Sequence, residues 1–179
     1  MAFEEVERRV RSLQPPTMTI GDEFQALYRR MGDALTATLW LSVILTGSVD
    51  IRLGIGWGPL ELQDPGRTPF GQDGPCWWRA RAAVDFVSER QHRYGVSRNR
   101  RTAVRTGEPD SDVFDSLVAL RDEVVAGLDE TDAAIMRDMA DGSTQQEIAE
   151  RLGLHRSSVS RRATSKGILT LLDTVGASA

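Results

Sequence analysis

The sequence is poor in the residues on which most metal, redox and disulfide chemistry depends. It contains one cysteine, Cys76, and two histidines, His92 and His155. A single cysteine excludes an internal disulfide and fits a reducing compartment, and we interpret Cys76 as structural. The histidines lie far apart and among basic residues, which is not typical of metal ligands or of a catalytic base. Walker, Rossmann and nucleophile-elbow motifs are also missing, so the sequence predicts no cofactor and no metal.

The sequence also lacks a long apolar run and a strong bias of charge. The longest apolar run, residues 35–46, is shorter than the roughly 20 residues that a membrane-spanning helix needs. Residues 1–14 are charged and contain no apolar segment of the signal-peptide kind, so we expect a cytoplasmic protein without membrane insertion. The net charge of −4 excludes a basic coat for nucleic acid, and any contact with DNA must come from a local patch.

Residues 129–168 carry the most specific pattern in the chain, centred on QEIAERLGLHRSSVSR from Gln146 onwards. One apolar helix face is expected to carry Ile148, Ala149 and Leu152. Gly153 stops that helix, because glycine makes the following bend at little steric cost. Leu154 then points inward from the turn, and Val159 anchors a second helix on the first. This spacing, with a small alanine at the crossing and a glycine elbow, predicts a helix-turn-helix.

The side chains that this helix pair turns outward suit contact with duplex DNA. They are hydroxyls, an amide, an imidazole and cations, and the candidate DNA-binding residues are Thr144, Gln145, His155, Arg156, Ser157, Ser158, Ser160, Arg161, Arg162 and Lys166. Cations reach phosphates, and an arginine can also form two hydrogen bonds with guanine. The pattern resembles the helix-turn-helix units of LuxR, MarR and sigma-factor region 4 proteins, which implies binding in the major groove. The alternative is an arginine-rich, solvated helix in a plain three-helix bundle.

Upstream of this segment, apolar periodicity predicts an α+β region. The expected helices cover residues 3–14, 31–45, 77–93 and 113–128, the first ended by Pro15 and Pro16. The expected strands cover 17–20, 49–57, 59–63 and 98–106, with 59–63 returning beside 49–57 as a hairpin through Gly58. Residues 24–28 suit a strand or the first turn of a helix, and residues 64–75 are expected to form a loop. The residues expected to face inward from the third helix are Trp78, Ala82, Phe86 and Val87.

Two features of this region leave alternatives open. Gly54 and Gly56 share one face of the 49–57 strand, which indicates either a ligand or another element packed very close to it. Residues 90–105 contain six arginines and no acidic residue. That run suits either a second nucleic-acid contact or partner surface, or a solvated loop and strand edge.

Three segments, followed by the helix-turn-helix, resemble the SatD family. The segments are TMTIGDEFQALY (17–28), VDIRLGIGWGPLEL (49–62) and QDGPCWWRARAAVDFV (72–87). The resemblance covers nearly the whole chain. It implies a two-part layout rather than a particular reaction.

The same segments are similar, more distantly, to the palm of nucleotide cyclases and GGDEF enzymes, which implies a truncated ferredoxin-like N-terminal fold. The matches are Gly21-Asp22-Glu23-Phe24, Arg52 to Gly58, and Ala80-Arg81. Such palms hold two Mg²⁺ ions between an acid on the first strand and another at the hairpin turn. Asp22 or Glu23 suits the hairpin position as a weak metal candidate, but the residues before Phe3 predict no strand with the partner acid. The sequence therefore favours a domain without catalysis, in which Asp22 and Glu23 belong to a structural turn.

These observations predict three parts and one main function. Residues 1–106 form an α+β sensing or pairing domain, 107–128 a linker and connecting helix, and 129–179 a helix-turn-helix domain. The expected function is sequence-specific regulation of transcription, with double-stranded DNA as partner and a nucleotide or other small molecule as candidate effector. We expect a homodimer, paired through 113–128 or the α+β domain, because two units about 34–36 Å apart usually read an operator. The alternatives are a Mg²⁺-dependent cyclase-like enzyme controlled by the C-terminal bundle, and a protein-interaction module.

Overall fold

The computed structural model describes residues 2–62 and 72–176 and has the mixed α+β composition that the sequence predicts. Within these ranges the helices are α1 (Ala2–Arg9), α2 (Met31–Ile44), α3 (Pro75–Gln91), α4 (Ser111–Ala126), α5 (Glu130–Ala140), α6 (Gln145–Leu152), α7 (Arg156–Ser165) and α8 (Ile168–Gly176). The strands are β1 (Gln14–Met18), β2 (Phe24–Leu27), β3 (Leu53–Gly56), β4 (Glu61–Leu62), β5 (Gln72–Asp73) and β6 (Thr102–Arg105). In the part of the chain that the structure describes, no helix is long and apolar enough to cross a membrane.

The described strands form three separate two-stranded sheets. β1 and β2 form an antiparallel hairpin, β3 and β6 run parallel, and β4 and β5 are antiparallel. The predicted hairpin between 49–57 and 59–63 is wrong, because β3 pairs with β6 and β4 pairs with β5. The paired part of the predicted 49–57 strand is also shorter, and its ends, Val49 and Trp57, are 57% and 40% exposed. Most of the predicted 64–75 loop lies outside the described residues.

The two adjacent prolines lie in a strand rather than at the end of a helix. α1 ends at Arg9, and β1 begins at Gln14 and includes both Pro15 and Pro16. The predicted role of these prolines as helix terminators is therefore wrong. A two-stranded ribbon has two edges, and proline is tolerated on an edge because its missing N–H is not needed there.

The β3–α3–β6 unit brings a helix into direct contact with a strand. A Cβ atom on Gly54 would lie 2.2 Å from the carbonyl oxygen of Ala80, and one on Gly56 would lie 2.0 Å from that of Cys76. Real Cβ atoms do not approach backbone this closely, so both positions require glycine. The structure thus decides between the two interpretations of this glycine pair, because α3 covers the strand face that a ligand would need.

α3 buries a narrower face than its apolar residues predict. Ala83 and Val87 are fully buried, and Phe86 is partly buried against them. Trp78 is 62% exposed and Ala82 is also exposed, so these two inward predictions are wrong. A helix that crosses only two strands has a narrow strip to cover, and the neighbouring apolar positions remain in solvent.

The apolar core is continuous from the N-terminal helices to the C-terminal ones. α1 and α2 contribute Val6 and Trp40, and the C-terminal helices contribute Ile135, Ile148 and Ile168 to the same cluster. The segments of sequence on either side of α4 therefore share one interior. The C-terminal bundle is held against the rest of the chain by apolar contact as well as by its covalent connection.

A partly buried ion-pair network joins α1 to α5. Glu5, which is 8% exposed, accepts hydrogen bonds from Arg137 at 2.7 and 2.8 Å and from Arg9 at 3.1 Å. Arg9 also pairs with Asp141 at 3.0 Å and lies over the ring of Trp40. Burial raises the pKa of the Glu5 carboxyl, but the hydrogen bonds from Arg137 and Arg9 outweigh burial and hold that pKa below its ordinary value.

The glycine pair under α3 gives the first prediction. Gly54→Ala is expected to lower the free energy of unfolding by about 1–3 kcal/mol or more, because the added methyl group meets the α3 backbone. Gly32→Ala is the matched control, since Gly32 lies in the first turn of α2 with no atom within 4 Å of the added Cβ. Urea unfolding of the two variants measures the difference. Equal stability of the two variants would contradict the close contact between α3 and β3.

The Glu5 network gives a second prediction, on pH. Because the folded-state pKa of Glu5 is lowered, its stabilising contribution is present above the unfolded pKa of about 4.3 and is lost as pH falls through the folded value. Glu5→Gln should therefore cost about 1–3 kcal/mol at neutral pH and progressively less below about pH 4. Urea unfolding at pH 7, 5, 4 and 3 tests this.

The control for that series is Glu89→Gln, which removes a mostly exposed carboxylate 3.9 Å from Arg93. An exposed pair of this kind contributes little, so its removal should change stability by no more than about 0.5 kcal/mol at any pH. A Glu5→Gln penalty that does not vary with pH would contradict the proposed charge pairing.

Candidate nucleic-acid interface

Capping hydrogen bonds begin both α5 and α6. Asp129 caps α5 by accepting the N–H of Asp132 at 2.8 Å, and Asp132 in turn accepts the N–H of Asp129 at 3.1 Å. Thr144 and Glu147 form the same reciprocal arrangement at the start of α6. These capping boxes set where each helix starts and therefore which residues each helix turns inward.

Gly153 makes the bend between α6 and α7. Its backbone is left-handed, with φ 65° and ψ 35°, and a Cβ atom there would have nothing within 4 Å. The N–H of Leu154 reaches back to the carbonyl oxygen of Ala149 at 2.8 Å, which closes the last turn of α6. The requirement for glycine at this bend is therefore conformational rather than steric.

The inward residues of α6 and α7 pack as the sequence predicts. Ile148 and Val159 are fully buried, and Ala149 is 2% exposed. Leu152 and Leu154 are partly buried against the same core. Ala163 adds a second small buried residue to α7 one turn beyond Val159. α7 is thus fixed by small and branched side chains that allow close approach to its neighbours.

The outward residues form an exposed polar face along α7 and the turn before it. His155, Arg156, Ser157 and Arg161 are exposed, and Ser158 and Ser160 are partly exposed. Neither Arg156 nor Arg161 makes an ion pair or a side-chain hydrogen bond with any residue in the two described ranges. Their guanidinium groups therefore carry charge that no acidic group of the described chain neutralises.

Two of the sequence-predicted cations contact the chain's own residues. Arg162 Nη1 lies 2.7 Å from the carboxylate of Asp132, which is fully buried, and 2.9 Å from that of Asp129. These hydrogen bonds raise the pKa of Arg162 above its ordinary value. Lys166 Nζ donates to the carbonyl oxygen of Gly127 at 2.9 Å, at the end of α4. Arg162 thus joins α7 to α5, and the Lys166 side chain joins the end of α7 to the end of α4.

A carboxylate of the chain already occupies the start of α6. Thr144 is exposed and Gln145 partly exposed, as a phosphate contact requires. The carboxylate of Glu147, however, accepts hydrogen bonds from the N–H and hydroxyl of Thr144 at 2.7 and 2.8 Å. The Glu147 carboxylate therefore partly offsets the attraction of the helix N-terminus for a phosphate. The Gln145 side chain remains available because it makes no hydrogen bond with the described residues.

Half of the six arginines at 90–105 pair with acids from other segments. Arg100 and Arg105 both pair with Asp115 of α4, at 2.6 and 3.0 Å, and Arg101 pairs with Asp50. The guanidinium groups of Arg90, Arg100 and Arg105 also lie over the ring of Phe86, 5.9, 4.9 and 4.3 Å from its centre. This segment mainly fastens α3, β6 and α4 together, which favours the structural interpretation of the run.

The two weak metal candidates do not come together with other ligands. Glu23 forms a two-pronged ion pair with Arg81, at 2.6 and 2.7 Å, and Asp22 is exposed in the turn beside it. The Arg81 hydrogen bonds lower the pKa of the Glu23 carboxyl. Among the described residues, no group of three or more histidine, cysteine, aspartate or glutamate side chains is arranged to hold a metal ion. Glu23 and Arg81 instead join the β1–β2 turn to α3.

Comparison with known protein families matches residues 5–178 to the SatD family. The chain belongs to the SatD family. No curated protein and no solved structure shows significant similarity to it. The SatD match covers both the α+β segments and the α5–α8 bundle, which confirms the near full-length resemblance inferred from the three N-terminal segments and the C-terminal segment that follows them.

The third prediction compares two adjacent arginines of this SatD-family chain, the exposed Arg161 and the ion-paired Arg162. Arg162→Ala should lower the free energy of unfolding by about 1–3 kcal/mol, because it leaves the buried carboxylate of Asp132 without its cation. Arg161→Ala should change stability by less than about 0.5 kcal/mol, because its side chain is exposed. Urea unfolding monitored by circular dichroism measures both. If Arg161→Ala were the more damaging change, the assignment of inward and outward faces on α7 would be wrong.

Proposed function

We propose that this chain is a regulator of transcription that binds double-stranded DNA, with α6 and α7 acting as a helix-turn-helix and α7 as the helix that enters the major groove. The observation that carries the proposal is the exposed face of α7. Its guanidinium groups at Arg156 and Arg161 point away from the core and make no internal ion pair in the described residues. A buried crossing through Ala149 and Val159 holds this face rigid.

The charge of the C-terminal bundle supports this orientation. Arg151 pairs with Asp138, and Arg162 pairs with Asp129 and Asp132, so both cations are neutralised inside the bundle. Arg137 of α5 pairs with Glu5 of α1. The other cations of the described bundle lie on the exposed side of α7 and at its C-terminal end, with His155 at its start. In an acidic protein, a small patch of this kind gives the local attraction that DNA binding requires.

The residues of α7 divide by expected role. Arg156 and Arg161 lie on the exposed face where base edges or phosphates would be met, and the serines between them suit shorter hydrogen bonds. Arg162 acts as a positioning residue, since its guanidinium is occupied by Asp132. Thr144 and Gln145 suit a phosphate contact at the start of α6, weakened by the adjacent Glu147 carboxylate.

The N-terminal α+β part is proposed to serve as a sensing or pairing module of palm-like, truncated ferredoxin-like descent, with a nucleotide or other small molecule as candidate effector. Its continuous core with α5–α8 supports this role, because a change in one part alters the packing of the other. One copy of α7 contacts few bases, so selective binding is proposed to require two copies on the same operator.

The fourth prediction tests the proposed function on genomic DNA. Fragments retained by the wild-type protein at low salt are sequenced, and the enriched site is used in a mobility-shift titration. Arg161→Ala is expected to weaken binding by about 1–3 kcal/mol and to relax selectivity at one position if Arg161 reads a base. If Arg161 instead contacts a phosphate, binding should weaken equally on all sequences and the salt dependence should fall by about one counterion per copy.

The matched control is Arg93→Ala, which removes a 65%-exposed guanidinium side chain beyond the end of α3. It should leave both affinity and salt dependence unchanged, because Arg93 lies outside the α6–α7 pair. Failure of the wild-type protein to retain duplex DNA at low salt would overturn the proposal. An equal loss of affinity in Arg93→Ala and Arg161→Ala would also count against it, since it would indicate non-specific attraction to arginine.

A further inference from the structure

α4 leaves a line of apolar side chains in solvent. Val113, Leu117, Leu120 and Val124 are 68%, 49%, 70% and 37% exposed. Their spacings of four, three and four residues place them on one face of the helix, over a length of about 16 Å. Single exposed apolar residues are ordinary on protein surfaces, but a line at this spacing is typical of a helix–helix contact.

The opposite face of α4 fixes the rotation of the helix about its axis. Asp122 accepts the N–H of Thr102 at 2.6 Å, and Asp115 accepts the N–H of Val104 at 2.9 Å. Arg121 donates to the carbonyl oxygen of Leu35 at 2.7 Å. Turning the apolar line inward would break these buried and part-buried hydrogen bonds, so the line remains on the surface until another molecule covers it.

The line is symmetric in both spacing and residue type. It reads valine, leucine, leucine, valine, and its centre lies between Val118 and Ala119. Consider a second copy related by a two-fold axis that passes through this centre, perpendicular to α4. Val113 of one copy then lies opposite Val124 of the other, and Leu117 lies opposite Leu120. A contact between identical chains around a two-fold axis requires such a self-complementary surface.

The charges at the two ends of α4 favour an antiparallel pair over a parallel one. Asp110 and Asp112 are exposed at the N-terminal end, and Lys166 lies against Gly127 at the C-terminal end. Antiparallel pairing brings the cation of one copy near the acids of the other and opposes the two helix dipoles. Parallel pairing would set the acidic end of each helix beside the same acidic end of its partner.

We propose that two copies of this chain associate through α4, antiparallel, with Val113 of one copy against Val124 of the other and Leu117 against Leu120. The contact is a single pair of helices of about four turns and is smaller than a standard interface of about 1,600 Å². The dimer should therefore be weak in the absence of DNA, with a Kd on the order of 1–100 µM.

This inference rests on the proposed function only for its consequence at DNA. α4 ends directly against the bundle, since a Cβ on Gly167 would lie 2.8 Å from a methyl carbon of Val124. In the antiparallel pair the two Gly127 residues would lie about 25 Å apart along the helices, at about 1.5 Å per residue. Operator binding by this pair requires the two α7 helices to lie about 34–36 Å apart, in successive major grooves.

The fifth prediction is tested by sedimentation equilibrium of the full chain without DNA, from about 1 µM to 1 mM. The wild-type protein should pass from monomer to dimer over this range. Leu117→Glu and Leu120→Glu, tested separately, should each raise Kd at least about tenfold, because each places a carboxylate within the apolar line. Ile20→Glu is the matched control, because Ile20 is 76% exposed in the β1–β2 turn, and it should dimerise as the wild type does.

Circular dichroism and urea unfolding establish that the glutamate variants remain folded. A wild-type chain that is monomeric at all concentrations would overturn the proposal. So would dimerisation of Leu117→Glu and Leu120→Glu with unchanged affinity, since the copies would then meet through another surface. Because no DNA is present, this outcome is independent of whether α7 binds an operator.

The orientation is tested with a Val113→Cys/Val124→Cys double variant and a short bis-maleimide cross-linker, followed by peptide mapping. Antiparallel pairing should yield links between position 113 of one copy and position 124 of the other. The two positions within one copy are about 16 Å apart along the helix, which a shorter linker does not span. Links between two 113 positions would overturn the antiparallel arrangement, and the wild-type chain, with Cys76 buried, controls for background reaction.

Discussion

The outward face of α7 depends on one tight crossing beneath it. Ala149 and Val159 are buried where α6 meets α7, and a left-handed glycine between the two helices sets the angle at which they meet. The ion pair from Arg162 to the buried carboxylate of Asp132 then fixes α7 to α5. Larger side chains at the crossing would separate the helices, and loss of the ion pair would leave a buried charge unpaired. The tight crossing and the ion pair together fix the orientation of α7, so that Arg156 and Arg161 face solvent.

The N-terminal part of the chain packs directly against that bundle. Apolar residues from α1, α2 and α5–α8 form one cluster, and Glu5 bridges Arg9 and Arg137 across the boundary between the N-terminal and C-terminal segments. α4 continues this arrangement, because its inner face bonds to β6 and its end meets Lys166. The outer face of α4 is the part of this framework whose apolar residues remain largely exposed, at 37–70%.

Arginine serves two different purposes in this protein. Arg100, Arg105 and Arg162 satisfy carboxylates of the fold and hold separate elements together. Arg156 and Arg161 have no such partner in the described residues. A count of arginines along the sequence treats these groups alike, and it therefore exaggerates the cationic character of the 90–105 run. Charge that is already paired inside a protein attracts nucleic acid weakly, whereas an unpaired exposed guanidinium keeps its full attraction.

The sequence by itself determined the features that depend on neighbours within a few turns. The α6–glycine–α7 pattern, the Asp129 cap, and the helices α2 and α4 follow from local periodicity, capping chemistry and the conformational freedom of glycine. Tertiary structure alone decided the partner of β3, the cover over Gly54 and Gly56, and the acids that pair with Arg162 and with three arginines of the 90–105 run. These depend on which distant segments meet, because strand pairing and ion pairing join residues whose separation along the chain leaves no periodic signal. The apolar line from Val113 to Val124 depends on the sequence and on the tertiary structure. The sequence sets its helical spacing, but only the packing of the inner face of α4 shows that the line faces solvent.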